Sequence, residues 1–224
     1  MELMCKSVSR RFFRNTKNSN FFYAVKDCDL VVAPGVITEI TGRSGSGKST
    51  LLNMLAGLLE PTEGQVLLDQ IDLYSLPDDP RSKLRGQCIG VIPQGQTGLH
   101  SLTVLENVLL PCRMAGEKPE ERCALELLAR FGIADLRDAY PSELSGGEMR
   151  RMAIARAMIR NPGILLADEP TGDLDDENTK AVLKLLRAAA DAGTAVLLVT
   201  HEREAASYAD RIWRMDSGIL TEEK

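Results

Sequence analysis

The sequence predicts an α/β fold whose central sheet is mostly parallel. Five apolar runs have the length of strands, at residues 36–40, 89–92, 164–167, 195–199 and 212–215. Several of them are continuous aliphatic segments, which are typical of strands that a sheet buries on both faces. Helical patterns separate these runs, as in a doubly wound core. A glycine-rich loop follows the first run and leads into a helical pattern, which is where such a core binds a ligand.

Two β-prone stretches near the N-terminus, residues 2–8 and 22–32, predict an antiparallel side sheet. A polar loop at 15–20 separates them, and Pro34-Gly35 marks a turn after the second stretch. The basic run at 10–14 is expected to be a solvated strand end that leads into the polar loop, and not a membrane-binding patch.

After the second core run the pattern changes to helical periodicity, which is clearest at residues 120–131 and 148–159. The strand-like apolar runs resume only near residue 164. We therefore expect a helical subdomain, residues 95–160, inserted into a core that residues 1–94 and 161–224 form together.

Composition and charge limit the classes of function. A chain of 224 residues with one set of motifs and no internal repeat is expected to be a single unit, so a machine with two sites requires a dimer. The net charge of −5 argues against strong nucleic-acid binding. Five scattered cysteines predict reduced structural thiols in the cytosol. Because no apolar run approaches the roughly 18 residues that cross a bilayer, a partner is expected to supply any membrane span.

The glycine-rich loop matches a phosphate-binding P-loop in residue types and spacing. Its glycines allow close approach of the backbone, and its N–H groups, with the positive end of the following helix, surround a polyphosphate. Lys48 is placed to reach the terminal phosphates and the Ser49 hydroxyl to ligate Mg²⁺. The nucleotide-binding residues predicted in this loop are Gly42, Arg43, Ser44, Gly45, Ser46, Gly47, Lys48, Ser49 and Thr50.

Polar side chains follow three other predicted core strands. The third core run ends in Asp168-Glu169. Beside a P-loop, Asp168 is expected to hold Mg²⁺ through water and Glu169 to polarise the attacking water. Gln94 and His201 each follow another core run, so both emerge at the sheet edge where α/β proteins bind ligands.

The segment Ser145-Gly146-Gly147-Glu148 opens a helical pattern and has the spacing of a capping box, in which the two end side chains satisfy backbone donors. Two glycines in the first turn of a helix cost roughly 1 kcal/mol each relative to alanine, so a second requirement is expected to keep them there. A first turn without side chains leaves a helix N-terminus that approaches a phosphate closely. The sequence therefore predicts an anion site at this helix start.

In order and spacing, the P-loop, this segment and Asp168-Glu169 resemble the ATP-binding subunit of an ABC transporter over nearly the whole chain. The resemblance implies a P-loop NTPase core with a parallel sheet, an antiparallel β side sheet and an inserted helical subdomain. It implies hydrolysis of ATP with Mg²⁺, Gln94 contacting the metal and the water, and His201 touching the γ-phosphate. The implied catalytic residues are Lys48, Gln94, Glu169 and His201, and the implied metal ligands are Ser49, Gln94 and Asp168.

The same resemblance implies a homodimer that forms on ATP. Ser145 and Gly147, with Gly146 and Glu148 beside them, would cover the γ-phosphate that the P-loop of the other subunit holds. Asp175, in the turn-rich segment 171–175, would cross the same interface. An N-terminal cap for the helix that is predicted from Asp176 is an equally compatible role for Asp175.

Three positions depart from the family pattern. The segment Ser145-Gly146-Gly147-Glu148, here called the signature segment, ends in Glu148 where most members carry Gln. The aromatic ring that stacks on adenine, usually Tyr, is expected to be Phe12, with Phe13 as its rival, because stacking requires only a ring face. The segment 95–100 lacks the aromatic residue that relatives often place near the membrane partner.

Residues 102–108 and 170–175, together with the short chain, look like the branch of the family that serves lipoprotein release, macrolide export and peptide resistance. Partners in that branch are permeases with four transmembrane helices and a large extracytoplasmic domain. The resemblance implies a peripheral ATPase on the cytoplasmic face of the bacterial inner membrane that drives such a permease, for export or extraction of a lipoprotein, peptide or drug.

Two other classes of function compete with this one. A soluble ABC protein that acts on ribosomes or DNA normally carries two cassettes or a long coiled-coil insertion, and the sequence has neither. A division-associated mechanotransmission ATPase, which acts on a membrane partner without moving cargo, is also compatible with the sequence. The neighbouring reading frame discriminates them: a permease with an extracytoplasmic domain indicates transport, and a division-gene context indicates signalling.

Overall fold

The computed structural model of the protein describes residues 1–16, 19–95, 98–118, 120–172 and 174–223. These residues form ten strands and six α-helices. The strands are β1 (Leu3–Thr16), β2 (Ser19–Val32), β3 (Ile37–Thr41), β4 (Glu63–Leu68), β5 (Ile71–Asp72), β6 (Ile89–Ile92), β7 (Ile164–Asp168), β8 (Ala195–Val199), β9 (Arg211–Asp216) and β10 (Ile219–Glu223). The helices are α1 (Lys48–Leu55), α2 (Asp78–Cys88), α3 (Val104–Met114), α4 (Glu121–Arg130), α5 (Gly146–Met158) and α6 (Asp176–Asp191).

The central sheet has the strand order β10-β9-β3-β8-β7-β6, and all its strands except β10 are parallel. Every residue of β7 and β8 is buried, so the prediction that the aliphatic runs are covered on both faces is confirmed. β10 is an antiparallel edge strand that the sequence analysis did not predict. A two-residue turn joins it to β9, with φ of 51° at Ser217 and 83° at Gly218, as a tight hairpin requires.

The predicted side sheet forms but is larger than predicted. β1 and β2 pair antiparallel, and β4 and β5 extend the sheet to the order β2-β1-β4-β5. The predicted polar loop at 15–20 is wrong at both ends, because β1 runs to Thr16 and β2 starts at Ser19. Residues 17 and 18 of that loop lie outside the described residues. The basic run at 10–14 therefore lies inside a strand and not at its end.

Aromatic pairs across the hairpin account for its extra length. Phe12 lies opposite Phe22 and Phe13 opposite Phe21, and the ring centroids of Phe12 and Phe22 are 5.9 Å apart. The Arg10 guanidinium lies 4.9 Å from the centroid of the Phe12 ring. Cross-strand aromatic and cation–π contacts of this kind stabilise an antiparallel ladder. The polarity of the intervening residues concealed this pairing in the sequence.

Helices cover both faces of the central sheet. One buried apolar cluster joins α1 and the side sheet to one face, and a second joins α3, α4, α5 and α6 to the other. Within the second layer α5 is central, because it contacts α3, α4, α6 and β6. The subdomain limits of 95–160 stay a prediction, since the helices within them share an apolar cluster with the sheet.

Two further expectations bear on the environment of the protein. In the described part of the chain, no helix is both long and apolar enough to cross a membrane. All five cysteines are free, and four of them are buried. Burial raises the pKa of the Cys28 thiol to about 12, so that this sulfur is an unreactive packing group.

Candidate nucleotide-binding site

Four strands of the central sheet end at the edge where the P-loop, Gln94, Asp168, Glu169 and His201 are located. β3, β8, β7 and β6 are neighbours in that order and run parallel, so their carboxyl ends are adjacent. A cavity of about 680 Å³ opens at this edge. The predicted residues that line it are Phe12, Arg43, Ser44, Gly45, Ser46, Gly47, Lys48, Ser49, Thr50, Gln94, Glu169 and His201.

The P-loop requires glycine at two positions for reasons within the subunit. Gly42 and Gly47 have φ of 149° and 112°. A Cβ atom on Gly42 would lie 2.3 Å from the carbonyl oxygen of Met215, and one on Gly47 would lie 2.1 Å from that of Ala24. Gly47 is also the N-terminal residue before α1, and no side-chain hydrogen bond caps that helix. The first-turn N–H groups of α1 are thus left for a ligand at the cavity.

Lys48 is a buried cation at the floor of the cavity, with 7% of its surface exposed. Its Nζ donates to the carbonyl oxygens of Gly42, at 2.7 Å, and Arg43, at 3.2 Å. The same Nζ lies 3.9 Å from Oε1 of Glu169. The ammonium group is therefore held in the loop, where its charge is compensated by one carboxylate and two carbonyl dipoles.

Asp168 is the last residue of β7 and does not itself line the cavity wall. Its side chain is buried, and burial raises the pKa of the carboxyl group, although a hydrogen bond with the Ser49 side chain opposes the rise. Oδ1 of Asp168 has no hydrogen-bond partner among the described residues. A buried carboxylate oxygen without a partner is costly, and a cation beside it would remove that cost.

Glu169 lines the cavity and has an unusual backbone conformation. Its φ is 48°, in the left-handed region that non-glycine residues seldom occupy, and its N–H donates to the carbonyl oxygen of Val199 at 2.8 Å. Oε2 of Glu169 lies 2.9 Å from Nδ1 of His201. The His201 side chain is 66% exposed, so its ring reaches from β8 over the open side of the cavity. Backbone strain of this kind is concentrated at functional sites.

The residues present fit a hydrated Mg²⁺ ion. Ser49 and Asp168 offer hard oxygen ligands, one of which is an orphaned carboxylate oxygen. No group of three or more His, Cys, Asp and Glu side chains in the described part of the chain could hold a metal alone. Mg²⁺ in nucleotide sites is typically held by one or two protein ligands together with phosphate oxygens and water, which this donor set matches.

Three aromatic residues line the cavity, Phe12, Phe22 and Tyr23, although only one stacking ring was expected from the sequence. Phe12 lines it, while Phe13 points away and is 93% exposed, so the geometry favours Phe12 over its rival as the ring beside a base. Phe22 also lines the cavity, at a ring angle of 31° to Phe12. Tyr23 was not predicted as a site residue from the sequence, and neither was Phe22. The register of Phe22 opposite Phe12 was the available signal, but the predicted end of the first strand at residue 8 hid it.

The signature segment forms the predicted capping box. Ser145 caps α5 by accepting from the Glu148 N–H at 3.3 Å, and Glu148 Oε2 accepts from the Ser145 N–H at 2.8 Å. The segment does not line the cavity of its own subunit, and Ser145 and Gly146 are exposed. A Cβ on Gly147 would lie 2.3 Å from Oδ1 of Asn178, a side chain that is hydrogen-bonded to Asp175 and Arg151, so packing against α6 disfavours a side chain there. A Cβ on Gly146 would make only an ordinary contact, at 3.7 Å.

Asp175 takes the capping role that the sequence left open. Its side chain accepts from the Asn178 N–H at 2.8 Å and caps α6. The hydrogen bonds from Asn178 hold the pKa of Asp175 below its usual value. Asp173 of the same segment lies outside the described residues. A contact of Asp175 across a dimer interface stays a prediction.

Comparison with known proteins identifies the family. A family model described as "ABC transporter" matches residues 25–172. The chain is 40% identical over 199 residues to the ABC transporter ATP-binding protein YtrE of Bacillus subtilis (strain 168), covering 88% of this chain and 86% of that protein. It is 43% identical over 197 residues to the lipoprotein-releasing system ATP-binding protein LolD of Xanthomonas axonopodis pv. citri (strain 306), covering 87% and 81%.

Solved structures agree with the sequence relatives. The dimeric structure of MJ0796, a bacterial ABC transporter cassette, has a TM-score of 0.90 and 35% identity, covering 99% of this chain and 98% of that one. A dimeric post-hydrolysis state of the MJ0796 cassette, bound to ADP and Pi, has a TM-score of 0.89 at the same identity. The P-loop, the paired carboxylates and these matches lead to one conclusion: the chain belongs to the family of ABC transporter ATP-binding subunits and is an ATPase.

Proposed function

We propose that the protein hydrolyses ATP with Mg²⁺ in an ATP-dependent homodimer and drives an integral membrane permease from the cytoplasmic face of the bacterial inner membrane. The observation that carries the proposal is the meeting of four side chains at one sheet edge. Lys48 and His201 both contact the Glu169 carboxylate, at 3.9 Å and 2.9 Å, beside the orphaned oxygen of Asp168.

In this mechanism the loop binds the phosphates first. ATP phosphates compete with the carbonyl oxygens of Gly42 and Arg43 for the Lys48 ammonium, and the uncapped N–H groups of α1 bind the remaining phosphate oxygens. When bound, Mg²⁺ neutralises charge that develops on the β- and γ-phosphates. Ser49, Gln94 and Asp168 are the residues that would hold it.

Glu169 then acts on the water. Its carboxylate accepts a hydrogen bond from the water that attacks the γ-phosphate and increases the negative charge on the water oxygen. His201 contacts Glu169 through Nδ1, which leaves Nε2 of the exposed ring to face the γ-phosphate. The left-handed backbone of Glu169 fixes the carboxylate between Lys48 and His201, so little reorganisation is needed at the moment of reaction.

The proposed dimer completes each site with the signature segment of the other subunit. The exposed start of α5 does not line the cavity of its own chain, and its first turn is compatible with an anion. The MJ0796 cassettes to which the chain is similar are dimeric. Homodimerisation through Ser145, Gly147 and Asp175 accounts for both observations.

The proposed partner is a permease with an extracytoplasmic domain, and the proposed cargo is a lipoprotein, peptide or drug that is exported or extracted. Similarity to proteins named for lipoprotein release supports this choice, at 43% identity to the Xanthomonas protein and 39% to LolD of Saccharophagus degradans (strain 2-40 / ATCC 43961 / DSM 17024). Reconstitution in vesicles with the membrane protein of the neighbouring reading frame tests it. We expect faster ATP hydrolysis and movement of cargo, whereas stimulation without movement of cargo would favour the signalling alternative.

The catalytic assignment predicts that one substitution lowers turnover and that another weakens ATP binding. Glu169→Gln keeps the shape of the side chain and removes its charge, so ATP should still bind and dimers should accumulate while turnover falls by about a hundredfold or more. Lys48→Ala removes a charge-assisted phosphate contact and should weaken ATP binding itself. Phosphate release, ATP affinity and light scattering measure these effects, with Glu126→Gln on the exposed side of α4 as the control. Turnover near the wild-type rate in Glu169→Gln contradicts the assignment.

A further inference from the structure

Arg150 is a buried charge that the proposed chemistry does not use. It lies on α5, three residues after Gly147, and is 7% exposed. Its Nη1 donates to the carbonyl oxygen of Pro93 at 3.1 Å and to that of Gly95 at 3.2 Å. These carbonyls stand on either side of Gln94 in the chain. A guanidinium from α5 therefore holds the backbone that carries Gln94.

A second helix holds the same connection farther along. Asn107 of α3 is fully buried; its Oδ1 accepts from the N–H of Leu99 at 2.8 Å, and its Nδ2 donates to the carbonyl oxygen of Leu102 at 3.0 Å. Nη1 of Arg156, on α5, lies 3.5 Å from the same Oδ1. The described parts of the connection between β6 and α3 are thus fixed to α3 and α5 by buried polar side chains. Hydrogen bonds in a buried network of this kind resist separation.

Gln94 lies where the chain passes from the core strand to the helices. Ile92, two residues earlier, is the buried last residue of β6. The carbonyl oxygens on either side of Gln94, by contrast, accept hydrogen bonds from Arg150 of α5. The Gln94 side chain lines the nucleotide cavity. A displacement of α5 relative to the sheet would pull on Gly95 and Pro93, and so change the distance between the Gln94 amide and the cavity.

We propose that Arg150 is a positioning residue that fixes the backbone around Gln94 to α5. The start of α5 would bind a phosphate at the site of the other subunit, and five residues after Ser145 the same helix sets Gln94 at the site of its own subunit. One helix thereby connects the two ATP sites of the dimer. This role rests on the proposed contact of Gln94 with the metal and the water.

A double-mutant cycle with Gln94 tests the role. Arg150→Met keeps an unbranched apolar side chain and removes the guanidinium donors, and should lower kcat for ATP by about tenfold, while ATP affinity of the monomer changes by less than about twofold. Arg150→Lys retains the charge, but its Nζ ends one bond nearer the backbone than Nη1 and reaches the two carbonyls less well. Its kcat should therefore lie between those of the wild type and Arg150→Met. In the Gln94→Ala background, Arg150→Met should change kcat by less than about twofold, because effects on one unit are not additive. Arg122→Met, on the exposed side of α4, is the control.

Hydrogen exchange supplies a readout besides turnover. The amides of residues 94 and 95 should exchange faster in Arg150→Met and in Arg150→Lys, while those of α6 should not change. A kcat loss of the same size in both backgrounds would overturn the positioning role. If Arg150→Met does not fold, unchanged exchange at residues 94 and 95 in Arg150→Lys would overturn it. Wild-type turnover in Gln94→Ala alone would instead contradict the proposed role of Gln94 and, with it, the route from Arg150.

Discussion

One carboxylate lies within a buried core strand, where apolar side chains are usual. Glu39 of β3 is fully buried, and neither of its carboxylate oxygens has a hydrogen-bond partner among the described residues. Burial raises the pKa of Glu39 to about 7, and the Glu223 carboxylate nearby adds to the rise. The protonated form is the one that such a site tolerates, because an isolated buried charge is costly.

This residue predicts a loss of stability as pH rises toward neutrality. Between the ordinary pKa of 4.5 and about 7, the folded protein keeps a proton on Glu39 that the unfolded chain has released, so the free energy of unfolding falls with increasing pH. Across this window the wild type should lose about 3 kcal/mol relative to Glu39→Gln, which cannot titrate. Urea unfolding of both proteins at pH 5, 6, 7 and 8 measures the difference. Parallel pH profiles would mean that Glu39 is charged or solvated in the folded state.

At the scale of elements, the start of α5 combines two glycines with different physical requirements. Gly147 is buried against Asn178, whose Nδ2 also donates to Asp175 Oδ2 at 2.9 Å and whose Oδ1 accepts from Arg151 at 2.8 Å. Packing between α5 and α6 therefore explains Gly147. Gly146 is exposed, and nothing in the described part of the subunit excludes a side chain there. A requirement outside the subunit is the remaining explanation for Gly146.

Substitutions at the two glycines should separate these requirements. Gly146→Asp places a carboxylate in the first turn of α5, where the helix dipole favours it, so the thermal stability of the monomer should not fall. In the Glu169→Gln background the same change should abolish the ATP-dependent dimer, because the new charge would face the phosphates of the partner site. Gly147→Ala should instead destabilise the monomer by about 1–3 kcal/mol through overpacking against Asn178. Thermal unfolding and light scattering distinguish the cases, and a normal dimer of Gly146→Asp would refute an opposed phosphate.

At the scale of the whole molecule, what the sequence predicted depended on how each element is buried. The core strands were predictable because burial on both faces demands continuous aliphatic runs. β4 and β10 were missed because they are largely exposed and carry mixed residues, with only Val66 and Leu68 of β4 fully buried. The P-loop and strand-end carboxylates were predictable from spacing. The contact of Gly147 with Asn178 was not, because it joins residues of separate helices that only the packed fold brings together.

In the proposed dimer, Glu148 would be under two opposed demands. Its Oε2 accepts from the N–H of Ser145 at 2.8 Å and from the Ser145 hydroxyl at 2.7 Å, and these hydrogen bonds hold the pKa of Glu148 below its usual value. The capping box thus contains a charged carboxylate, and the hydroxyl proton of Ser145 is directed to it. If the partner's triphosphate approaches this helix start, it meets a like charge and a serine proton that is already engaged.

Glu148→Gln, made in the Glu169→Gln background, should therefore tighten the ATP-bound dimer. The amide oxygen of Gln can still accept the capping hydrogen bond from Ser145, so monomer stability should change by less than about 1 kcal/mol, while the repulsion across the interface disappears. Screening by salt weakens that repulsion, so the gain in dimer affinity should be larger at about 0.01 M than at about 0.5 M salt. Glu143→Gln makes the same change in net charge five residues earlier, where the Glu143 carboxylate accepts from the Tyr140 N–H, and should leave the salt dependence as it is. Dimer dissociation constants at the two ionic strengths decide the matter: if Glu148→Gln is unchanged or weaker at low salt, Glu148 caps its helix without sensing the opposite phosphates.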